Sequence, residues 1–258
     1  MNDRPTYIAS CSFGKDSLAT ILLALEHNEP LDRAVFCEVM FDHERGISGE
    51  LPEHIEWVHN VAIPKLESWG VPVDVVKGVK DYRHFFHNAV GGRFKGKLYG
   101  FPIGGKCVIQ RECKVIPIER YYRQFDSHIV QYVGIAADEH RRLQRLKNTK
   151  RTSKVSLLAK YGVTEAMAVG MCKAEGLYSP MYDIAPRGGC WFCPNVRIKT
   201  LVEFRRKHPE LWEELLELGK TPNLCSYGFK YGKTVEEIDR RLDFEERQLK
   251  LFLDDNHW

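Results

Sequence analysis

One stretch near the start of the chain decides the fold: residues 7–11 read YIASC, residues 12–17 read SFGKDS, and residues 18–25 read LATILLAL. A short apolar run, a loop with a glycine, and an apolar run at helical spacing predict a strand, a tight loop and a helix. Such a loop presents backbone N–H groups and the positive end of a helix dipole to an anion. A capped helix that binds nothing has the same local pattern, so the hexapeptide alone leaves both interpretations open.

The side chains of the loop favour phosphate as the anion. Ser12 and Ser17 supply hydroxyl donors and Lys15 supplies a cation. Asp16 has the carboxylate that could hold a Mg²⁺ ion on the phosphates. The loop is neither GxxxxGK(S/T) nor GxGxxG, so the two nucleotide-binding folds with those loops are disfavoured.

The hexapeptide resembles the SGGxDS pyrophosphate loop of the PP-loop ATP pyrophosphatases and the SFG variant of phosphoadenosine phosphosulfate (PAPS) reductases. Several later segments also resemble the PAPS reductase-like family of this PP-loop adenine nucleotide α-hydrolase superfamily, among them residues 176–193, GLYSPMYDIAPRGGCWFC. The resemblance implies ATP or a related adenine nucleotide as ligand, with Mg²⁺, and Lys15 and Asp16 as catalytic residues. It implies nucleotide contacts from Ser10, Ser12, Phe13, Gly14, Lys15, Asp16 and Ser17.

The apolar runs predict an α/β fold with a doubly wound, mainly parallel, Rossmann-like sheet, which the resemblance makes adenine nucleotide α-hydrolase-like. Charged amphipathic patterns after Pro194 predict a helical C-terminal extension, whose last helix spans Thr234–Leu253 and begins with a capping sequence. We expect a nucleotide-binding domain in residues 1–194 and the extension in residues 195–258. One strand is expected at an unassigned position, and the others near residues 6–11, 34–41, 71–76 and 129–136.

Four further residues are candidates for nucleotide contacts because they lie at predicted carboxyl ends of strands, where open α/β sheets bind ligands. Asp42 ends the second apolar run, and the alternative is a solvated turn residue. Gly134 permits close approach of a ligand to the backbone of the fourth run. Glu139 and Arg142 follow in a segment that resembles the family's GIRxDES…R stretch, although Ala136 stands where that pattern often has arginine.

Four of the eight cysteines form two pairs that predict a metal centre. Cys190 and Cys193 form a CxxC flanked by glycines and a proline, which positions two sulfurs for one centre. Cys107 and Cys113 lie in a segment that resembles the family's CC…KVxPL region, in which the cysteines are adjacent. Four thiolates suit either a 4Fe–4S cluster or a structural zinc ion, and the resemblance to the PAPS reductase-like family favours the cluster; a redox-active CxxC is a third interpretation. The pattern indicates buried, small apolar residues at Cys11, Cys37 and Cys172.

The composition bounds the class of protein. The 258 residues have a net charge of +3, no apolar run of membrane-span length, and no signal-peptide pattern at the start. A cytoplasmic protein without a membrane partner is expected, whose cysteines bind metal or stay thiols instead of forming disulfides. Residues 141–154 form a cationic run that is either a solvated helix face or a contact for anions or nucleic acid.

Three functions are consistent with these patterns. The first is a PAPS reductase-like PP-loop enzyme that cleaves an adenine nucleotide at the α-phosphate and adenylates an acceptor, a nucleic acid or a protein, in a reaction linked to sulfur transfer. The second is a thiol-dependent reductase of PAPS or adenosine phosphosulfate, although the printed sequence lacks that branch's ECG(I/L)H pattern and Cys225 matches nothing in it. The third is a non-catalytic nucleotide- or nucleic-acid-binding subunit, and a homo-oligomer is a further expectation.

Overall fold

The computed structural model describes residues 4–102 and 107–254, with side chains described up to residue 248. Two compact units alternate along this chain. The first unit comprises the chain up to Val39, Glu50–Val79 and Glu112–Gly188; the second comprises Met40–Gly49, Lys80–Arg111 and the chain from Gly189 onward. The domain division expected between residues 194 and 195 stays a prediction.

The described residues contain nine strands and twelve α-helices. The strands are β1 (Thr6–Ser10), β2 (Arg33–Glu38), β3 (Met40–Asp42), β4 (Ile47–Ser48), β5 (Val73–Lys77), β6 (Leu98–Gly100), β7 (Ile129–Val133), β8 (Thr152–Val155) and β9 (Leu224–Ser226). The helices are α1 (Lys15–Glu26), α2 (Pro52–Trp57), α3 (Ile63–Ser68), α4 (Tyr82–Phe86), α5 (Val108–Gln110), α6 (Ile116–Tyr122), α7 (His140–Leu143), α8 (Leu157–Lys160), α9 (Glu165–Ala174), α10 (Ile198–Lys207), α11 (Pro209–Gly219) and α12 (Val235–Asp254). Turns of π- or 3₁₀-helix lie at Val58–Ala62, Gly92–Phe94, Arg111–Val115 and Pro180–Asp183.

The first unit is built on a five-stranded parallel sheet with the strand order β5-β2-β1-β7-β8. Strands that follow β1 in the chain are added first on one side of it, as β2 and β5, and then on the other side, as β7 and β8. The direction of winding therefore reverses between β1 and β7. Because crossovers between parallel strands are right-handed, this reversal places helices on both faces of the sheet.

Alternate side chains of β1 show that both faces are covered. Ala9 packs in a core with apolar side chains of α1, α3, α8 and α9. Ile8 points to the opposite face, where it packs with Tyr121 and Tyr122 of α6. The doubly wound, Rossmann-like α/β fold predicted from the sequence is confirmed.

The second apolar run does not form one strand. β2 ends at Glu38, and β3 begins at Met40 and pairs antiparallel with β4 in the second unit. The single strand predicted over residues 34–41 is wrong because burial continues through the break: Val39 and Phe41 are nearly inaccessible although the chain has left the parallel sheet. Apolar side chains alone do not mark where a chain changes sheets.

One further strand is shorter than predicted, and the strand expected without a position can be assigned. The run at residues 129–136 ends at Val133, because the backbone N–H of Ile135 turns back to the carbonyl oxygen of Val133 at 3.0 Å. The additional strand expected is β8, which lies partly inside the cationic run. Its side chains are half-buried at the edge of the sheet, so polar residues are tolerated there.

The second unit contains short strands, helices and an aromatic core. β6 pairs in parallel with β9. α10, α11 and α12 follow the CxxC segment, so the predicted helical C-terminal extension is confirmed. Ring contacts with centroid separations between 4.2 and 5.5 Å join Phe41, Tyr82, Trp191, Phe192 and Phe204.

The last helix begins as the sequence predicted. The backbone N–H of Glu237 donates to the Thr234 hydroxyl at 3.2 Å, and the Thr234 N–H donates to the Glu237 carboxylate at 2.9 Å. This reciprocal capping satisfies two donors at the helix start. Within residues 4–102 and 107–254, no helix combines the length and apolar character needed to cross a membrane.

Candidate active site

The loop of residues 11–14 connects β1 to α1 beside the point where the winding of the sheet reverses. Ser10 and Val133 are paired in register, so β1 and β7 end at the same edge. Open α/β sheets bind ligands in the crevice at such a point, because the connections on its two sides leave toward opposite faces. The predicted contact residues near these two strands, from Ser10 in the first stretch and from Gly134 in the second, therefore lie at or just after neighbouring strand ends of the first unit.

Phe13 holds the loop in an unusual backbone conformation. Its φ is +56°, in the left-handed region, which costs a residue with a Cβ atom about 1–2 kcal/mol. The side chain is fully buried, and its ring meets that of Phe36 edge-on with centroids 5.3 Å apart. Burying a phenylalanine contributes about 1.5–3 kcal/mol, so packing of this ring offsets the backbone cost.

Lys15 and Asp16 begin α1 and form an ion pair. Nζ of Lys15 lies 2.9 and 3.0 Å from the two carboxylate oxygens of Asp16 and 3.4 Å from Oε1 of Glu165. Burial acts to lower the pKa of Lys15, but the two carboxylates outweigh it and the pKa is raised. Burial raises the pKa of Asp16 despite Lys15, and the charges of Glu165 and Glu139 add to the rise. The loop thus holds a stable ammonium group next to a carboxylate with increased proton affinity.

Ser17 joins the two ends of the loop. Its hydroxyl donates to the carbonyl oxygen of Gly14 at 2.9 Å and accepts the backbone N–H of Ser12 at 3.3 Å. The thiol of Cys11 lies 3.7 Å from the same hydroxyl. These contacts shape the loop before any ligand binds, which reduces the entropy cost of binding.

His54, which no sequence pattern indicated, fixes the loop from the side. It lies in α2 with 1% of its surface exposed, its Nε2 3.1 Å from the Ser12 carbonyl oxygen and its Nδ1 2.8 Å from the Ser179 hydroxyl oxygen. A carbonyl oxygen only accepts hydrogen bonds, so Nε2 carries the proton and Nδ1 accepts from Ser179. Burial lowers the pKa of His54, which favours this neutral form.

Tyr182 caps the start of α1. Its hydroxyl oxygen accepts the backbone N–H of Lys15 at 2.8 Å. A Cβ atom at Gly14 would lie 3.3 Å from that oxygen, so glycine leaves room for it. Burial raises the pKa of Tyr182, which keeps the phenol protonated and able to donate to a ligand at the loop. The ring of Tyr178 stacks on that of Tyr182 at 4.6 Å and holds its orientation.

Four side chains that contact or support the loop were not predicted from the sequence as site residues: His54, Glu165, Ser179 and Tyr182. Two of them bond to the loop across 42 and 167 residues of chain. Spacing rules describe neighbours within one element and do not report such contacts. The family-like segment GLYSPMY was the available signal, since it contains both Ser179 and Tyr182.

Gly134 touches the start of α1. A Cβ atom on it would lie 2.6 Å from the backbone nitrogen of Ser17 and 2.7 Å from the carbonyl carbon of Asp16, closer than real Cβ contacts. The group that approaches Gly134 closely is thus the backbone at the start of α1 and not a ligand, and the predicted contact of Gly134 with a nucleotide stays a prediction. The backbone contact sets the distance between β7 and the loop.

Glu139 and Arg142 form an ion pair after β7. One carboxylate oxygen of Glu139 accepts the backbone N–H of Ala136 at 3.1 Å and the guanidinium of Arg142 at 2.6 Å. The charge of Glu139 acts on Asp16, so the carboxylate belongs to the electrostatic surroundings of the loop. The guanidinium of Arg142 is exposed and partly neutralised by Glu139.

Asp42 lies in the second unit at the end of β3, and not at the carboxyl end of a parallel strand as predicted. Its buried carboxylate accepts the backbone N–H of Arg45 at 3.1 Å and lies 3.4 Å from Nε of Arg83. Arg45 and Arg83 both also bind Glu214. Asp42 is thus part of a charge network, and its contact with a nucleotide stays a prediction.

Cys190 and Cys193 lie on a turn of the second unit that is anchored by the residues between them. Trp191 and Phe192 are buried in the aromatic core, whereas both cysteines are partly exposed. The indole N–H of Trp191 donates to the Ser48 carbonyl oxygen at 2.9 Å. The backbone N–H of Cys193 donates to the Cys190 carbonyl oxygen at 3.0 Å, which closes the turn.

The Tyr82 hydroxyl is within electrostatic range of three of the four predicted metal ligands. Burial raises its pKa, and the thiols of Cys107, Cys190 and Cys193 raise it further. Its buried oxygen has no hydrogen-bond partner within the described ranges. In the same ranges, no three histidine, cysteine, aspartate or glutamate side chains lie in an arrangement that would hold a metal ion.

The remaining cysteines of the first unit are buried. Cys113, the fourth predicted ligand, is inaccessible, and its carbonyl oxygen accepts the thiol of Cys37 at 3.3 Å. Burial raises the pKa of Cys11 and Cys37 to about 11 and that of Cys172 to about 12. These three thiols stay protonated near neutral pH.

Comparisons with known proteins give distant similarities. No family model matches the sequence. The uncharacterized protein MJ0066 of Methanocaldococcus jannaschii is 23% identical over 242 residues, which are 89% of this chain and 45% of that protein. The chain thus spans less than half the length of this curated relative. The structure of the U34-tRNA thiolase NcsA from Methanococcus maripaludis with its 4Fe–4S cluster is similar with a TM-score of 0.42 and 14% identity, covering 93% of this chain and 72% of that one.

The buried imidazole of His54 predicts a pH dependence of stability. Its pKa is lower in the folded protein than the ordinary value of 6.5, so the unfolded chain takes up the proton first as pH falls. The stabilisation is fully present above pH 6.5 and is lost below it, toward the folded pKa. We expect thermal melts of the wild type to lose more stability between about pH 7.5 and 5.5 than those of His54→Asn. Parallel curves for the two proteins would contradict the buried neutral form.

Proposed function

We propose that the chain is a PP-loop enzyme that binds ATP or a related adenine nucleotide and cleaves it at the α-phosphate. The observation that carries the proposal is the loop between β1 and α1, which presents Lys15, Asp16 and a helix N-terminus at the reversal point of the sheet. An acceptor oxygen attacks the α-phosphorus, the bond from that phosphorus to the bridging oxygen breaks, and pyrophosphate leaves. The acceptor becomes adenylated.

The charge and position of each residue at the loop indicate its role in the proposed reaction. Lys15 neutralises the negative charge that develops on the phosphates, and it is already held by Asp16 and Glu165. Asp16 would hold Mg²⁺, and the resemblance to the PAPS reductase-like family supports that role. Tyr182 and His54 act as positioning residues because they bind the backbone on either side of Gly14.

A 4Fe–4S cluster is part of the proposal, with Cys107, Cys190 and Cys193 as ligands and Cys113 as the fourth predicted one. Two observations support this part of the proposal: Cys190 and Cys193 place two soft thiols on one turn, and the buried hydroxyl of Tyr82, within electrostatic range of them and of Cys107, has no protein partner in the described part of the chain. When bound, a cluster of this kind supplies sulfur-transfer chemistry to the activated acceptor. The alternative, zinc, would use the same thiolates.

Turnover distinguishes the proposed activity from the alternatives. The purified chain is incubated with ATP and with PAPS in parallel, and the release of pyrophosphate, AMP and sulfite is measured. Pyrophosphate from ATP supports the proposal. Sulfite from PAPS with a thiol reductant would favour the reductase instead, and binding without either product would favour the accessory subunit.

The metal content tests the thiol assignment. Anaerobically purified wild type is expected to contain about four irons and four sulfides per chain, and Cys190→Ser to lose them, because a cluster depends on each thiolate ligand. Cys225→Ser is the matched control, since this cysteine lies in β9 of the same unit and is not among the predicted ligands. One zinc per chain and no visible absorbance would contradict the cluster.

A further inference from the structure

The second unit carries a surface rich in cations. The segment Lys80–Arg111 contains seven lysines or arginines and one acidic residue, Asp81. Asp81 is buried, and its carboxylate accepts the backbone N–H groups of His43 and His84 at 2.7 Å each. The positive charge of this segment is therefore not offset by an acidic side chain of its own at the surface.

Arg93, Lys95 and Lys97 are exposed cations of this segment. Among the side chains described, in residues 4–102 and 107–248, none of the three has a carboxylate within ion-pair distance. The guanidinium of Arg93 lies over the ring of Phe94, 4.6 Å from its centroid, and 38% of Phe94 is exposed. Such an arginine–aromatic pair offers a flat face on which a nucleobase can stack.

An exposed tyrosine lies on the strand next to this segment. β9 runs parallel to β6, and the backbone N–H of Leu98 donates to the carbonyl oxygen of Asn223 at 2.9 Å. Tyr227 follows β9 and folds back along it, because its hydroxyl accepts the backbone N–H of Leu224 at 3.2 Å. The tyrosine remains 44% exposed, so its ring is held in place and still faces solvent.

Tyr231 stands at the tip of a tight turn. Tyr231 and Gly232 both have positive φ, +55° and +72°, between the bridged residues Lys230 and Lys233. Asparagine is favoured at the first position of such a turn, and a tyrosine there carries a conformational cost. The ring is nevertheless 72% exposed, and the Lys230 ammonium lies 4.2 Å from its centroid. An unfavourable residue with an exposed ring at a turn tip indicates a role in binding.

We infer that Arg93–Gly100 and Leu224–Lys233, together the β6–β9 platform, bind single-stranded nucleic acid. The exposed cations contact phosphates, and unpaired bases stack on the rings of Phe94, Tyr227 and Tyr231. A duplex fits this surface less well, because its bases are already stacked on one another. An acidic protein would use the cations but would leave the three aromatic faces unused.

The platform is directly bonded to the CxxC turn. The ammonium of Lys230, a residue with 4% exposure, donates to the carbonyl oxygen of Pro194 at 2.6 Å, one residue after Cys193. A strand bound over Tyr231 would thus lie beside the thiols. The idea that this nucleic acid is the acceptor of the adenylation rests on the proposed function, whereas the binding of nucleic acid to the platform does not.

The test is the fluorescence anisotropy of labelled RNA and DNA oligonucleotides of the same sequence, about ten nucleotides long, measured without ATP. Tyr231→Asn, which suits the turn, is expected to lower the affinity about tenfold while the melting temperature is kept or raised. The double substitution Lys95→Glu with Lys97→Glu is expected to lower the affinity further. The slope of the logarithm of the affinity against the logarithm of the salt concentration should become shallower by about 1.4, because each phosphate contact contributes about 0.7. Comparison of the RNA and DNA arms identifies which nucleic acid is preferred.

The matched control is Lys147→Glu with Lys150→Glu, which makes the same change in net charge in the exposed cationic run of the first unit. Its affinity is expected to stay within about twofold of the wild type, since these lysines lie outside the platform. Wild-type affinity in the platform variants, loss of binding in the control, or equal affinity for a duplex would each overturn the inference. Because no nucleotide is present, a failure here is independent of whether the loop cleaves ATP.

Discussion

Lys15→Ala is expected to lower kcat/KM for pyrophosphate release from ATP by about 10²–10³-fold, the usual effect of removing one group that stabilises developing charge. Nζ of Lys15 is fixed by both oxygens of Asp16 and by Glu165, so the ammonium is oriented before the phosphates arrive. Its removal also leaves the carboxylate of Asp16 partly buried without its cation. Steady-state pyrophosphate release against ATP concentration measures the effect.

Two variants separate this role from a change in folding. Lys15→Arg keeps the charge and is expected to recover part of the activity, with the remaining loss caused by the different geometry of the guanidinium group. Lys160→Ala removes an exposed lysine of the same unit that pairs with Glu29, and full activity is expected because surface ion pairs contribute little. Undiminished turnover in Lys15→Ala, with an unchanged melting temperature, would show that the loop takes no part in the reaction.

Gly134→Ala is expected to destabilise the protein by about 2–3 kcal/mol, because the added methyl group meets backbone that cannot rotate away. The clash is with the nitrogen of Ser17 at 2.6 Å and the carbonyl carbon of Asp16 at 2.7 Å. For a chain of this size the melting temperature should fall by roughly 5–10 °C. ATP binding should weaken as well, since relief of the clash moves the start of α1 away from β7.

Gly170→Ala is the matched control for this substitution. Gly170 lies within α9, and an added Cβ atom there meets no heavy atom within 4 Å. Alanine in a helix interior is more favourable than glycine by about 1 kcal/mol, so this variant should melt at the same or a higher temperature. Equal melting temperatures for Gly134→Ala and the wild type would show that the loop accommodates the added methyl group without a loss of stability.

Local patterns in the sequence were sufficient for the central sheet. The alternation of strand, loop and helix around residues 7–25, and apolar runs for the other strands, predicted the doubly wound fold correctly. The same patterns did not show that the chain leaves the sheet at Val39, because the side chains of Val39 and Phe41 are buried on both sides of that break. Asp42 was misplaced for this reason.

The sequence by itself determined the type of loop and its two charged residues, because both follow from neighbours along the chain, whereas the need for glycine at position 134 arises from a tertiary contact with the backbone of Asp16 and Ser17. Only the tertiary structure decided what surrounds the loop. His54, Glu165 and Tyr182 reach it from separate elements, and the burial that lowers the pKa of His54 exists only after those elements pack. Contacts between distant segments depend on how whole helices cover the sheet, and no short pattern encodes that.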